Sequence, residues 1–256
     1  MNLLEYEKYL GKFLKNYLRK SKADGFILGV SGGIDSAVVA ALLSKYLKDK
    51  YLCLILPIHQ NIDDAILVCN QTNSNYESVD LSNIFDTCLN NYEEGNKTSK
   101  SNLKVRLRML TLYYYGQNRN MLVIGTDNAC EYYTGYFTKY GDGAYDINPL
   151  RYLTKDQVYE MAKNLGVDQK IISKVPSADL IEGISDEDEL KVSYKDLNKY
   201  LKGEKVSEEA CQRIEYLHNN CSCSSEEKEV LVEELKHKTE IKLAKVSLDI
   251  AKAEKI

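Results

Sequence analysis

The sequence lacks any apolar stretch that approaches the length of a membrane span, and its N-terminus lacks the apolar core of a cleavable signal peptide. It also lacks an excess of positive charge, since 34 Lys and Arg residues are opposed by 38 Asp and Glu residues. This balance gives no sign of a nucleic-acid-binding surface. We therefore expect neither a membrane nor a nucleic acid among the partners of this protein.

The seven cysteines are odd in number and scattered, so they do not form the framework of a disulfide-stabilised secreted domain. We interpret them as reduced thiols and expect a cytoplasmic location. The chain has 256 residues, 44% of them hydrophobic and 28% charged, which is enough for one large domain with a real core. No internal repeat or low-complexity linker divides it, and we predict a single domain over residues 1–256.

Strand and helix patterns alternate along the chain, which is typical of a doubly wound parallel α/β sheet flanked by helices. The acidic segment SDEDEL is predicted to be a loop that leads to a helix, and residues 224–256, without proline or glycine, predict a helical C-terminal section. The other predicted elements are helices at 2–22, Ser36–Leu47, Asp63–Asn73, Leu103–Tyr115 and Lys155–Leu165, and strands at Gly25–Val30, Tyr51–Pro57, Tyr76–Leu81 and Met121–Gly125.

The segment SGGIDS, Ser31–Ser36, connects the first predicted strand to a helix. It has neither the Lys-Ser/Thr pair of the P-loop nor the third glycine of the dinucleotide fingerprint. Its paired glycines let the backbone approach a pyrophosphate, and its two serines can donate hydrogen bonds to phosphate oxygens. Asp35 would repel a phosphate unless it held a bridging Mg²⁺. The alternative is an ordinary strand–turn–helix junction.

The turn resembles the pyrophosphate-binding loop of N-type ATP pyrophosphatases, which split ATP between its α- and β-phosphates. Together with NLKVRLRMLTLYYYG, LVIGTDNACEYYTGYFTKYGDGAYDINPL, LTKDQV, VPSADL and SDEDEL, it makes most of residues 1–217 similar to the ammonia-dependent NAD⁺ synthetases. This resemblance implies the adenine nucleotide alpha hydrolase-like fold. It also implies a single synthetase domain without a glutaminase domain, so that free ammonia is the nitrogen donor.

The resemblance implies a reaction in two steps. The nicotinate carboxylate of deamido-NAD⁺ attacks the α-phosphate of ATP, which gives an acyl-adenylate and pyrophosphate. Ammonia then attacks the activated carbonyl and releases AMP and NAD⁺. Neither step needs a nucleophilic side chain, in keeping with a sequence that has no serine-triad or catalytic-cysteine signature. Catalysis would come from alignment of the substrates and from neutralisation of crowded negative charge.

Family positions imply three sets of site residues. Asp35 and Glu131 would hold Mg²⁺ and, with Lys155, form the catalytic set. The implied ATP contacts are Gly29, Val30, Ser31, Gly32, Gly33, Ile34, Asp35, Ser36, Thr126, Lys155 and Ser177. The implied deamido-NAD⁺ contacts are Arg106, Lys139, Asp146, His237 and Lys238. The alternative for Glu131, Lys155 and His237–Lys238 is an ordinary solvated helix surface.

The helix Leu103–Tyr115 is apolar on two faces, so it is either deeply buried or shared with a neighbouring molecule. In the resembled family the dinucleotide site lies at a symmetric homodimer interface, which implies a C₂ homodimer here. Burial of both faces in one core is the alternative.

Some positions depart from the family pattern. Ile55 stands where that family usually has an arginine, and Lys191 stands where a glycine is common.

Two other functions compete with the synthetase. A tRNA-thiolating or amidotransferase-type ATP pyrophosphatase is disfavoured by the net acidity and the dispersed cysteines. A regulatory nucleotide-binding protein that has lost catalysis is disfavoured by the presence of Asp35, Glu131 and Lys155.

Overall fold

A computed structural model describes residues 2–176 and 185–221 of the chain. Its centre is a parallel sheet with the strand order β3-β2-β1-β4. The strands are β1 (Gly25–Gly29), β2 (Tyr51–Ile55), β3 (Tyr76–Ser78) and β4 (Met121–Val123). In the central register Leu28 is paired with Cys53, and Ile27 is paired with Leu52 on one side and Val123 on the other. Because all pairs are parallel, the carboxyl ends of the strands meet at one edge.

Helices connect the strands and extend the domain beyond the sheet. They are α1 (Leu3–Ser21), α2 (Ile34–Leu47), α3 (Asp63–Gln71), α4 (Ser82–Asn91), α5 (Lys97–Asn118), α6 (Ala129–Thr134), α7 (Lys155–Leu165), α8 (Gln169–Ile172), α9 (Asp186–Leu190), α10 (Tyr194–Leu201) and α11 (Glu208–Asn219). No helix in these two ranges combines the length and the apolar character that crossing a bilayer requires.

Helices cover both faces of the sheet, which confirms the predicted doubly wound architecture. Phe26 and Leu28 of β1 are fully buried in a core formed with α1, α2 and α7. Ile27, whose side chain points to the opposite face, is buried in a second core with α4 and α5. A smaller cluster of α6, α10 and α11 packs around buried Leu197 and Ile214. The sheet edge where the strands end is thereby framed by α5, α6 and α7.

Several predicted elements differ from the structure. The third strand ends at Ser78 and not at Leu81, and the following chain forms α4, which the sequence pattern did not indicate. The helix predicted from Leu103 begins earlier, at Lys97, where Asn96 caps it by accepting a hydrogen bond from the Ser99 amide at 2.9 Å. α8 and α11 were also not predicted. Short amphipathic helices such as these are stabilised mainly by tertiary packing.

The acidic segment predicted as a loop is the helix α9. Ser185 caps it and accepts a hydrogen bond from the Asp188 amide at 3.2 Å, in a capping box. All four acidic residues lie in the first turn, where the positive end of the helix dipole favours them. The charge run that suggested a solvated loop is therefore a helix N-terminus.

The glycine turn brings two helix N-termini together. Gly32 adopts a left-handed φ of 84°. A Cβ there would lie 2.8 Å from the Ala65 amide nitrogen and 2.9 Å from the Asp64 carbonyl carbon, at the start of α3. Gly33 is the N-cap of α2 and provides no capping side chain. The first amides of α2 therefore lack a side-chain cap and can bind an anion.

Substitution of Gly32 tests how strongly this close approach constrains the turn. We expect Gly32→Ala to lower the free energy of unfolding by about 3 kcal/mol, because it combines left-handed strain with a clash against backbone. Gly166→Ala is the matched control: φ is 75° there, but a Cβ would meet nothing within 4 Å. This control should lose only about 1 kcal/mol. Urea unfolding of the two variants measures both values, and equal losses would contradict the proposed contact.

Candidate active site

A cleft of about 440 Å³ opens at the carboxyl ends of the strands. This edge is where parallel α/β sheets bind ligands. Arg108 and Met109 of α5 and Pro176 also line the cleft. Most of the predicted ATP and catalytic residues lie on its walls, namely Gly29, Val30, Ser31, Gly33, Ile34, Asp35, Ser36, Thr126, Glu131 and Lys155.

The centre of the cleft is a buried ion-pair cluster. Lys155 Nζ lies 2.6 Å from Asp35 Oδ2 and 3.2 Å from Glu131 Oε1. The side chains of these residues are only 3%, 17% and 13% exposed. They come from the first turns of α7, α2 and α6, so three helix N-termini converge on one lysine. A buried charge must be paired, and the fold provides the two acids that the sequence predicts.

Asn128 fixes both carboxylates and was not predicted. Its Nδ2 donates to Asp35 Oδ1 at 3.0 Å, and its amide donates to Glu131 Oε2 at 3.0 Å. Its Oδ1 accepts from the amides of Cys130 and Glu131, which completes the capping box of α6. The spacing Asn-x-x-Glu in TDNACE is the sequence signal that could have identified this role.

Tyr194 and Asp186 form an outer layer, which sequence reasoning also missed. The Tyr194 hydroxyl lies 3.4 Å from Glu131 Oε1 and 3.1 Å from Asp186 Oδ2. Its ring centroid is 4.9 Å from Lys155 Nζ, within the range of a cation–π contact. The Tyr136 hydroxyl also donates to Asp186, at 3.2 Å. The acidic motif and the nearby tyrosine were visible in the sequence, but only the fold brings them to Lys155.

Negative charge exceeds positive charge in this cluster. Burial, and then the neighbouring Asp35, raise the pKa of Glu131 to about 7, although Lys155 opposes the shift. Burial also raises the pKa of Asp186. Asp127 is 5% exposed, and its Oδ2 finds no hydrogen-bond partner in the described part of the chain. Burial, and then Asp142, raise the pKa of Asp127 well above its ordinary value. The site therefore favours an additional cation.

The residues present fit a magnesium ion that substrate phosphates help to hold. Asp35 and Glu131 approach one Lys155 Nζ, so their oxygens converge on a small volume. Among the described residues, no three His, Cys, Asp or Glu side chains group closely enough to bind a metal by themselves. Mg²⁺ commonly binds one or two carboxylates and takes its remaining ligands from phosphates and water.

The residues implied for deamido-NAD⁺ lie on the outer side of α5. Arg106 Nε donates to the Lys139 carbonyl at 3.2 Å, and both side chains are exposed. Asp146 accepts from the Val123 amide at 2.7 Å and lies beside the Tyr113 hydroxyl, which is also on α5. Ser177, His237 and Lys238 lie outside the described residues, as does the predicted helical section at 224–256.

Arg108 is a cleft residue that sequence reasoning did not select. Arg106 and Arg108 are two positions apart on a helix and so project from opposite sides of α5. Arg108 Nε donates to the Leu56 carbonyl at 3.0 Å, and its Nη2 donates to Gln60 Oε1 at 2.7 Å. A guanidinium from α5 thus holds the loop after β2, next to Ile55, where the resembled family usually has an arginine.

Comparisons with known proteins agree over most of the chain. A family model described as NAD synthase matches residues 6–245. The NH(3)-dependent NAD(+) synthetase of Malacoplasma penetrans is 44% identical over 220 residues, or 84% of this chain and 90% of that protein. A solved structure of NMN synthetase from Francisella tularensis is 41% identical with a TM-score of 0.81, covering 86% of this chain and 94% of that chain.

The solved NH3-dependent NAD synthetase of Campylobacter jejuni is 29% identical to this chain, with a TM-score of 0.72. That match covers 86% of this chain and 94% of that chain. The range matched by the family model contains every site residue predicted above.

The raised pKa of Glu131 predicts a pH dependence of stability in the absence of metal. The ordinary value is 4.5 and the folded value is about 7, so between these values the unfolded chain releases a proton that the folded chain keeps. Stability therefore falls as the pH rises through this window. Between about pH 5 and pH 8, the free energy of unfolding should fall by about 2 kcal/mol more for the wild type than for Glu131→Gln. Urea unfolding in EDTA measures the free energy of unfolding of both proteins. The same pH dependence in both would contradict the raised pKa of Glu131.

Proposed function

This chain belongs to the NAD synthase family, and on that premise we propose that the cleft at the strand ends is where it amidates deamido-NAD⁺ with ammonia. The reaction consumes ATP and yields NAD⁺, AMP and pyrophosphate through an adenylated dinucleotide. The observation that carries this assignment is the convergence of Asp35, Glu131 and Lys155 beside the glycine turn, inside one cleft. Such a cluster, next to free helix amides, suits a polyphosphate and its metal ion.

In the first step, the glycine turn and the amides of α2 hold the triphosphate while the nicotinate carboxylate attacks the α-phosphorus. The bond from that phosphorus to the bridging oxygen breaks, and pyrophosphate leaves. Asp35 and Glu131 are the residues that would hold Mg²⁺, which neutralises phosphate charge when bound. Lys155, buried between these acids, keeps a positive charge at the point where the phosphate oxygens gather.

In the second step, ammonia attacks the acyl carbon and loses a proton. The bond between the acyl carbon and the phosphate oxygen of AMP breaks, and AMP leaves. The protein supplies no covalent nucleophile to either step. Its contribution is orientation of the two substrates and stabilisation of charge by side chains that are mostly buried.

The outer face of α5 supports the proposal of a homodimer with the dinucleotide site at its interface. Leu110 and Tyr114 are 67% and 69% exposed, and Tyr113 is 37% exposed. They continue the side of the helix that carries Arg106, whose guanidinium contacts the Lys139 carbonyl. An apolar stripe next to these basic residues suits a two-fold interface that encloses an anionic ligand. The other side of α5 lines the cleft.

We further propose that the enzyme acts in the cytoplasm. Five cysteines in the described ranges are free thiols, namely Cys53, Cys69, Cys88, Cys130 and Cys211. Reduced thiols are typical of proteins in a reducing compartment. Cys223 lies outside the described residues.

A second candidate acceptor is nicotinate mononucleotide, because one of the similar solved structures is named an NMN synthetase. The same adenylation and amidation chemistry would then yield the mononucleotide amide. Competition between equal concentrations of the two acids, with both amides measured by mass spectrometry, decides between them. Preferential formation of NAD⁺ supports deamido-NAD⁺ as the substrate, whereas preferential formation of the mononucleotide amide overturns that assignment.

The central prediction is that purified protein converts deamido-NAD⁺, ATP and ammonium into NAD⁺, AMP and pyrophosphate. Asp35→Asn should lower the turnover by at least about 100-fold, because a lost metal ligand removes several kcal/mol of charge stabilisation. Asp49→Asn, at an exposed position after α2, is the matched control and should retain the wild-type rate. Mass spectrometry of the products measures the turnover of the wild type and of both variants. Release of ADP in place of AMP, or full activity of Asp35→Asn, would contradict the assignment.

The proposed interface predicts that Leu110→Glu converts a dimer into a monomer. A carboxylate in the centre of an apolar contact is costly to desolvate, so dimer affinity should fall by about 100-fold or more. Leu4→Glu, at a position 53% exposed on α1, should leave the dimer intact. Light scattering after size-exclusion chromatography measures the mass, and circular dichroism checks that each variant is folded. A monomeric wild-type protein would disprove the interface.

A further inference from the structure

A second charged cluster lies beside the glycine turn and has no part in the chemistry described above. Asp64, at the start of α3, forms ion pairs with two lysines, Lys170 in α8 and Lys174 shortly after it. Lys170 Nζ lies 2.8 Å from Asp64 Oδ1, and Lys174 Nζ lies 3.3 Å from Asp64 Oδ2. The pairs lower the pKa of Asp64, the Lys170 hydrogen bond most of all, so the carboxylate is ionised near neutral pH.

Asp64 is packed against the turn that would hold the triphosphate. A Cβ on Gly32 would lie 2.8 Å from the Asp64 Cβ, so the two residues are in direct contact. A lone carboxylate at this place would repel a polyphosphate. Two lysines pair with this carboxylate, so the negative charge of Asp64 is compensated next to the turn.

The two lysines differ in where they lie. Lys174 is among the residues that line the cleft, and its side chain is 35% exposed. Lys170 is 64% exposed, which directs most of its side chain to solvent. The cleft also contains Ser31 and Ser36, whose hydroxyl oxygens are 3.2 Å apart at the turn. Of this pair, Lys174 is therefore the lysine that a ligand on the turn can reach.

The reaction creates a need for such a cation. When the α-phosphorus is attacked, negative charge accumulates on the departing pyrophosphate. Lys155 remains a cation but is already paired with both Asp35 and Glu131. A further cation at the β- and γ-phosphates would stabilise the leaving group and bind the product.

We propose that Lys174 is a pyrophosphate-binding residue, which Asp64 holds in position beside the glycine turn. This inference rests on the proposed function, since it assigns the leaving-group side of the same cleft. Lys174 contacts the substrate phosphates directly, whereas Asp64 is a positioning residue. Loss of the Lys174 charge should weaken the binding of pyrophosphate more than the binding of the acceptor dinucleotide.

The test compares Lys174→Met with Lys170→Met, two variants that each remove one ion pair from the same carboxylate. Isothermal titration of the resting enzyme with pyrophosphate and Mg²⁺ measures the affinity directly. We expect Lys174→Met to weaken pyrophosphate binding by about tenfold or more, the size of a lost charge-assisted hydrogen bond, and to raise the KM for ATP. Lys170→Met should stay within about twofold of the wild type, and Lys174→Arg should recover much of the loss.

Three outcomes would overturn the proposal. These are unchanged pyrophosphate affinity in Lys174→Met, equal weakening in both methionine variants, and a wild-type enzyme that does not bind pyrophosphate. If the ion pairs serve only to attach α8 to α3, both variants lose stability in urea unfolding while their pyrophosphate affinity is unchanged. Product analysis of the wild type is run in parallel. Failure to form AMP and NAD⁺ overturns the proposed function, whereas normal turnover with unchanged pyrophosphate binding in Lys174→Met overturns this inference alone.

Discussion

The structure depends most on the buried ion pair of Lys155 with Asp35 and Glu131. A lysine that is 3% exposed is stable as a cation only when acids neutralise it, and here two acids from different elements do so. Along the chain, Lys155 lies 24 positions from Glu131 and 120 positions from Asp35. The pairing therefore requires that α2, α6 and α7 begin at the same edge of the sheet. Any change in strand order or in helix placement would leave a charge buried without a partner.

The surroundings of this pair explain why the site suits metal-dependent chemistry. Asn128 holds both carboxylates in place, and Tyr194 connects Glu131 to a third acid, Asp186. One lysine cannot neutralise all of these acids, so burial and repulsion raise the pKa of Glu131. A divalent cation with a polyphosphate would restore the balance. On the proposed function, metal binding and substrate binding would therefore be linked.

The glycine turn and α5 connect this electrostatic centre to the rest of the molecule. At Gly32 the close approach of α3 leaves no space for a side chain, and this contact brings Asp64 with its two lysines next to the glycine turn. α5 has one side in the cleft, through Arg108, and an outer side that exposes Leu110 and Tyr114. On the proposed function, α5 would lie between the ATP site and the dinucleotide site. Its two apolar faces reflect two different surroundings.

The sequence by itself determined the α/β class and the glycine turn with Asp35, because strand and helix periodicity and short motifs are local properties of the chain. Glu131 and Lys155 were selected through the family resemblance of the motifs that contain them. Most of the predicted strands and the helix at 155–165 follow from the same local patterns. Only the tertiary structure decided which side chains complete the site. Arg108, Tyr194 and Asp186 come from three different segments, and their roles depend on distances between elements that no local pattern encodes. The capping of α6 by Asn128 is visible in the local spacing, but its hydrogen bond to Asp35 is not. The side of α5 that each arginine faces was decided in the same way, by what packs against the helix.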